Sequence, residues 1–301
     1  FTGDVEVLGA EMFFRPFPAK ITQLRGRVLV ADDRLEIREL SGQTGGGTVR
    51  LTGTMDWSRP PFRVDAELDG KGILVSLAGI LKAQSDLHLG LHGNFQDLKL
   101  AGEVRILKAR YLREFNEKLP PLNLTPAATS SKPPAPAVAS TPGGPDLSRM
   151  ALDVKVTAAD NVWVANRVAN IETAVALKIG GRLGAPVVSG EITAIQGEAT
   201  YFSRQFRLES GSLRFVPPAL VPLLDVQAST SVGDNQILFL IEGPLNKLSY
   251  HLTSQSGQRQ EDLIALLTVG ETRSSLTGRG ERASIAGAAV FTSEPLVNAL
   301  G

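Results

Sequence analysis

One stretch of this chain is written twice, 88 positions apart: Leu87-His-Leu-Gly-Leu-His-Gly-Asn-Phe-Gln-Asp-Leu-Lys-Leu-Ala-Gly-Glu-Val104 and Val175-Ala-Leu-Lys-Ile-Gly-Gly-Arg-Leu-Gly-Ala-Pro-Val-Val-Ser-Gly-Glu-Ile192. In the first copy Leu87, Leu89 and Leu91 alternate with His88, Gly90 and His92. Such a period of two belongs to a strand with one face out of water. Gly93 and Gly181 are expected where each strand ends or bulges, and a second alternating run (Leu98, Leu100, Val104) follows within a hairpin's reach. A looser third copy runs from Ile237 through Phe239, Ile241, Gly243, Leu245 and Leu248 to Tyr250. The repeat predicts a long sheet built from one recurring hairpin.

The same alternation fills most of the sequence. Strands are predicted at 24–30, 35–40, 49–55, 62–68, 87–91 and 98–112, then at 152–156, 162–164, 171–179, 187–195, 199–202, 206–215, 224–230, 237–245 and 248–253. The turns between them, such as Ala31-Asp-Asp-Arg34, Gly45-Gly-Gly47 and Ser58-Arg-Pro-Pro61, are too short for crossover helices, so an antiparallel meander is expected. Only Gly70 to Lys82, with Ile73, Leu74, Leu77, Ile80 and Leu81, hints at a short helix in this half.

Eight of the 26 residues from Pro120 to Pro145 are proline and most others are Ala, Ser or Thr, a composition that buries too little to fold. The repeated hairpin lies once on each side of it, so this linker interrupts one architecture. Near the end the period changes: Gln260-Glu-Asp-Leu-Ile-Ala-Leu-Leu-Thr-Val-Gly270 has acids in its first turn, Leu263, Ile264, Leu266 and Leu267 on an apolar side, and a glycine at the C-cap position. A short helix is expected there, and a second over 283–300. The division is therefore 1–119 sheet, 120–146 loop, 147–255 sheet and 256–301 helical segment.

Composition and motifs remove most chemistries. Lys plus Arg equals Asp plus Glu at 31 each, which lacks the basic surplus of a nucleic-acid binder. Zero cysteines exclude disulfides, thiolate metal sites and a cysteine nucleophile. The sequence has no Gly-x-Ser-x-Gly elbow, no phosphate-binding Walker loop and no His-Glu-x-x-His, so no enzymatic activity, cofactor or metal is expected. His88 and His92 would lie on one strand face roughly 13 Å apart, too far to share an ion. Gly45-Gly-Gly47 and Asp32-Asp33 read as turns, and Arg50, Arg63, Lys99, Arg105, Lys178, Arg207 and Arg214, interleaved with Asp65, Glu67, Asp153 and Glu209, as a solvated outer face. No run of about 18 apolar residues is present. The chain opens on Phe1 in mid-pattern and is read as a piece of a longer protein, so the missing span says nothing about the parent.

About fourteen strands exceed the ~10 that an open twisted sheet holds before it curls or splits. Curling leaves the apolar face either as a filled core between layers or as an open greasy trough. Closed packing is the default for apolar faces, so pattern alone leans to the core.

The run Tyr201-Phe-Ser-Arg-Gln-Phe-Arg-Leu-Glu-Ser-Gly-Ser-Leu-Arg-Phe215, then Val221-Pro-Leu-Leu-Asp-Val-Gln-Ala228, the Gly243 hairpin and Gln260 to Gly270 resemble, in this order, the C-terminal domain of the TamB family. Where that family often has a proline, this chain has Ser254-Gln-Ser-Gly257. The resemblance implies a β-taco, a curled half-pipe of mainly antiparallel sheet with an apolar concave face and short C-terminal helices. It further implies a periplasmic protein anchored in the inner membrane through an N-terminal segment, meeting an outer-membrane barrel of the TamA/BamA kind at its C-terminal end. Phospholipid acyl chains would be the cargo, along a lining of Leu87, Leu89, Leu91, Leu98, Leu100, Val175, Leu177, Ile179, Val188, Ile192, Ile237, Phe239, Ile241, Leu248 and Tyr250. The helix residues Leu263, Ile264, Leu266 and Leu267 would contact the partner. Two alternatives stay open: a scaffold that augments unfolded outer-membrane strands at its sheet edge, and a closed β-sandwich without ligand.

Overall fold

A computed structural model describes residues 2–13, 20–77, 80–94, 96–113, 147–201, 204–219 and 221–269. They form one sheet of 14 strands whose spatial order is the chain order, β1 to β14, and the two ends do not pair. The strands are Gly3–Phe13, Lys20–Val30, Arg34–Thr44, Gly47–Asp56, Arg63–Leu77, Leu81–Asn94 and Asp97–Tyr111 for β1 to β7. Then come Ala151–Ala165, Ala169–Arg182, Ala185–Tyr201, Arg204–Phe215, Leu223–Val232, Asn235–Pro244 and Ser249–Ser254 for β8 to β14, followed by the helix α1, Gln260–Val269. Neighbours pair antiparallel except β7 with β8, which are parallel and flank residues 114–146. The meander expectation fails at that one joint, because a long connection can span the sheet and start β8 at the end where β7 began, opposite the end at which the chain left.

Gly70 to Lys82 is not helical: β5 continues to Leu77 and β6 begins at Leu81, paired Leu77 to Leu81. A register shift between Gly70 and Ile73 breaks the alternation there, which makes Ile73 and Leu74 look like one side of a helix. In fact Ile73 is fully buried and Leu74 is exposed, on opposite sides of a strand. Shifts of the same kind fuse predicted pairs of strands: 152–156 and 162–164 are both β8, and 187–195 and 199–202 are both β10. The 283–300 expectation and the Pro-rich segment lie outside the described residues.

These shifts form a line across the sheet. They occur at Gly70/Ile73, Gln84/Ser85, Arg105/Ala109, Ala158/Val162, Ala194/Gln196 and Leu208/Ser210, each opposite the next. A bulge bends its strand and increases the local twist, so a row of them creases the sheet. The crease is pinned on its polar side by Glu172, a buried carboxylate. Its two oxygens accept from the Asn161 backbone N–H (3.1 Å) in β8 and the Gln196 amide (2.6 Å) in β10. Thr173 adds a hydroxyl bond to the Val162 carbonyl at 2.9 Å.

Strand length changes along the sheet. The longest, β10, has 17 residues and the last, β14, has 6. At ~3.3 Å per residue, contours fall from roughly 55 Å to about 20 Å, so the folded sheet tapers toward its C-terminal end.

Candidate functional site

Strand register decides which side chains share a face. One row runs through ten strands: Val7, Gly26, Leu40, Leu51, Leu68, Leu89, Gly102, Val154, Ile179 and Val188, each paired with the next. A second picks it up, Val175 to Ile192 to Leu213 to Leu224 to Gly243, and a third runs Gly211, Val226, Ile241, Tyr250. The apolar face is therefore continuous from β1 to β14. All the lining residues expected from the sequence fall on it, Leu248 at the parity of Tyr250 just before β14.

The three hairpins are one unit. Leu91 pairs with Leu100, Ile179 with Val188 and Ile241 with Tyr250, in each case around a turn opened by Gly93, Gly181 or Gly243. In the two close copies Leu87 pairs with Val104 and Leu89 with Gly102, as Val175 pairs with Ile192 and Leu177 with Gly190. Gly102 and Gly190 have φ of +144° and +112°, and a Cβ on them would meet the carbonyl oxygens of His88 at 2.1 Å and Ala176 at 2.2 Å. Only glycine lets the strands cross so closely, and the missing side chain leaves Leu89 and Leu177 open to the face.

Among the described residues, only the sheet and α1 are available to cover this face. Leu98 and Val175 are buried, whereas Leu87, Leu89, Leu91, Leu100, Leu177, Ile179, Val188 and Ile192 are half-buried. Each has apolar neighbours on the adjoining strands, which leaves these side chains only partly exposed. Sequence reading missed several members of this face, among them Leu68, Ile73, Val154, Val156, Leu213 and Val226. Their signal was the same alternation, hidden in strands that carry no repeat.

The opposite face is wet and charge-paired. Asp153 bridges Lys99 (3.0 Å) and Lys178 (2.9 Å), which hold its carboxyl below the ordinary value. His88 contacts Asp69 at 2.7 Å, which raises its pKa, and His92 contacts Asp65 at 3.0 Å. Arg50 pairs with Glu39 at 3.2 Å. Exposed pairs of this kind contribute little to stability. Among the described residues no cluster of three or more His, Asp or Glu could hold a metal ion, and no helix is long and apolar enough to cross a membrane.

At the C-terminal end the face is filled. There α1 lies over it, and Leu263, Ile264, Leu266 and Leu267 pack with Phe206, Ala228, Val232, Ile237, Phe239 and Leu252. Ile237 and Leu263 are 0% exposed. Below them the Phe239 ring stacks between Tyr201 (5.4 Å) and Tyr250 (6.1 Å), with Phe206 tilted against it at 5.7 Å. Burial pushes the Tyr201 hydroxyl up to about 12. Arg204 donates from Nε to the Leu267 carbonyl at 3.2 Å and so caps the helix from β11. Each buried leucine or isoleucine contributes roughly 1.5–3 kcal/mol, offset by the ordering of a helix that is marginal alone in water. The four residues expected to meet a partner thus face the sheet. Phe206, Val232 and Leu252 complete this seat and were not singled out from sequence, because nothing local marks which strands a helix will cover.

The family model described as the TamB C-terminal domain matches residues 37–301. No curated protein matches the chain.

Proposed function

We propose that this chain, which belongs to the TamB family, carries phospholipid acyl chains along its apolar face as part of the envelope biogenesis with which that family is associated. The observation that supports this reading is the unbroken apolar face across 14 strands in a sheet that does not close into a barrel. Acyl chains need continuous apolar lining, worth about 0.8 kcal/mol per buried methylene. An open side lets headgroups remain in water, and no reactive group is required. In this reading the chain stands in the periplasm, is held to the inner membrane by a segment outside this sequence, and hands cargo to an outer-membrane barrel of the TamA/BamA kind.

The test uses Leu89 and Leu177, which pair with Gly102 and Gly190 in the two close copies of the hairpin. Phospholipid is expected in organic extracts of the purified chain and on photocrosslinkers placed at either position, and is expected to be lost from Leu89→Asp and Leu177→Asp variants that keep their β-sheet circular dichroism. An empty chain overturns the reading.

A second reading, strand augmentation of unfolded barrel proteins, draws on β1. Among the described residues no strand pairs with its outer side, and it exposes Leu8 (77%) and Phe13 (76%). Crosslinks from Leu8 to a client protein, in a chain that carries no lipid, would favour it.

A further inference from the structure

On one rim of the sheet, where β9 turns into β10, four segments stand side by side: 147–150, 182–187, 215–223 and 243–248. They serve the seven strands β8 to β14, a width of about 30 Å at ~4.8 Å per strand. Neighbouring segments are bonded to each other. Leu183 and Gly184 donate from their backbone N–H groups to the Met150 and Ser148 carbonyls (2.9 and 2.8 Å), and Leu245 donates to that of Pro222 (2.9 Å).

Turns are ordinarily polar, and these are not. The longest reads Val216-Pro-Pro-Ala-Leu-Val-Pro-Leu223, with neither a charge nor a polar side chain. Among the described residues from 147 onward seven large hydrophobic side chains are exposed, and five of them, Leu147, Val187, Val216, Leu223 and Leu245, lie in these four segments. Val187 and Leu223 alternate with Val188 and Leu224 of the apolar face, so this patch turns toward the wet side and is a separate surface. At the opposite rim the same strands are turned by Asn166-Arg-Val168, Gly233-Asp234 and Gln255-Ser-Gly-Gln-Arg259, which are mainly polar.

Charge is sorted as sharply. The four segments hold three cations, Arg149, Arg182 and Lys247, all exposed, and no Asp or Glu. The first half of the same rim instead carries Asp32, Asp33, Asp56 and Asp97. The backbone of the apolar turn is also poor in donors. Pro217, Pro218 and Pro222 have no N–H, the Ala219 N–H bonds the Val216 carbonyl (3.1 Å), and that of Lys247 bonds the Pro244 carbonyl (2.7 Å). A segment with few donors left over loses little on leaving water for lipid, where each unmet backbone group is costly.

We propose that these four segments form a bilayer-docking rim, whose apolar tips enter the headgroup region of a membrane leaflet while Arg149, Arg182 and Lys247 meet anionic headgroups. The contact needs no cargo on the apolar face, so it stands or falls apart from the lipid-carrying reading.

The chain has no cysteine, so one dye can be placed at one position. In the 301-residue chain, Val216→Cys on this rim and Asp234→Cys on the opposite rim each carry the environment-sensitive dye NBD. Each is mixed with vesicles of phosphatidylcholine, with or without a quarter of phosphatidylglycerol, and emission and flotation are read. On the anionic vesicles the dye at 216 is expected to brighten and shift to the blue, the dye at 234 to stay unchanged, and the chain to float. Leu223→Ser with Leu245→Ser is expected to cut the bound fraction at least fivefold while keeping the circular dichroism of the sheet. Arg182→Gln with Lys247→Gln is expected to abolish the preference for anionic over neutral vesicles. No shift at 216, equal shifts at 216 and 234, or unchanged binding by the apolar variant each overturns the docking rim. A chain that yields no phospholipid on extraction yet shifts at 216 alone supports it and removes the lipid-carrying reading.

Discussion

The central hairpins and the C-terminal seat share one apolar face but treat it differently. Around Leu89 and Leu177 the face is half-buried, with glycine opposite the leucines and the polar side held by Glu172. Around Ile237 and Phe239 it carries a helix and a stack of aromatic rings, and is closed. The alternation that makes a strand amphipathic does not say whether its apolar side will be filled. What fills it is a separate piece of chain.

The largest expected difference between the two regions is energetic. Phe206→Ala in the seat should cost about 3–5 kcal/mol, because the ring is fully buried among side chains that cannot all relax. Leu89→Ala should cost about 1–2 kcal/mol, since that side chain is only partly buried. Urea unfolding followed by tryptophan fluorescence and circular dichroism compares them, and equal costs would break the distinction between a filled and an unfilled region.

The next effect tests whether the hairpins are one unit. Gly102→Ala and Gly190→Ala each force a Cβ onto a neighbouring carbonyl oxygen, at a cost of about 1–3 kcal/mol. The two costs should agree within experimental error. A change tolerated at one and not at the other would dissolve the equivalence.

A smaller effect reports on the seat alone. One of the three tyrosines should ionise only near pH 12 in an absorbance titration, Tyr201, whose neutral form is the one that burial favours. Its contribution to stability is present below pH 10 and fades as pH climbs through about 12. Unseating α1 with Leu263→Asp and Leu267→Asp should bring that titration back toward 10, and an unchanged midpoint would mean that the sheet alone buries the ring.

The smallest belongs to the wet side of the central hairpins. The His88 ring should titrate above 6.5 by NMR because the Asp69 carboxylate bonds and attracts its protonated form, and Asp69→Asn should remove the rise. The sign follows from the raised value. The pair supports the fold below pH 6.5 and stops doing so as pH rises past the His88 midpoint, with an effect on melting too small to resolve at an exposed site.

Where a hairpin keeps the spacing from Gly93 to Leu98 or from Gly243 to Leu248, its register could be read from the sequence, because the turn fixes which residues face each other. The crease could not. Every bulge shifts the alternation by one or more positions, so Gly70 to Ile73 imitates a helix and Ala158 to Val162 imitates a strand end. The direction of β8 was equally hidden, since the composition of a linker does not say where it returns. The helix was legible from its acids, its leucines and its terminal glycine, yet its seat was not. Leu263 to Leu267 read the same whether they meet a partner, a membrane or the protein's own sheet.

Strand order that follows chain order also governs how such a molecule is made. Each strand added in chain order finds its partner already beside it, so the edge advances by hairpin closures and needs no distant segment. The exception is β8, which must close a loop across residues 114–146 before it can add to β7. Among the described strands, growth in chain order therefore meets one long loop closure, in the middle of the sheet.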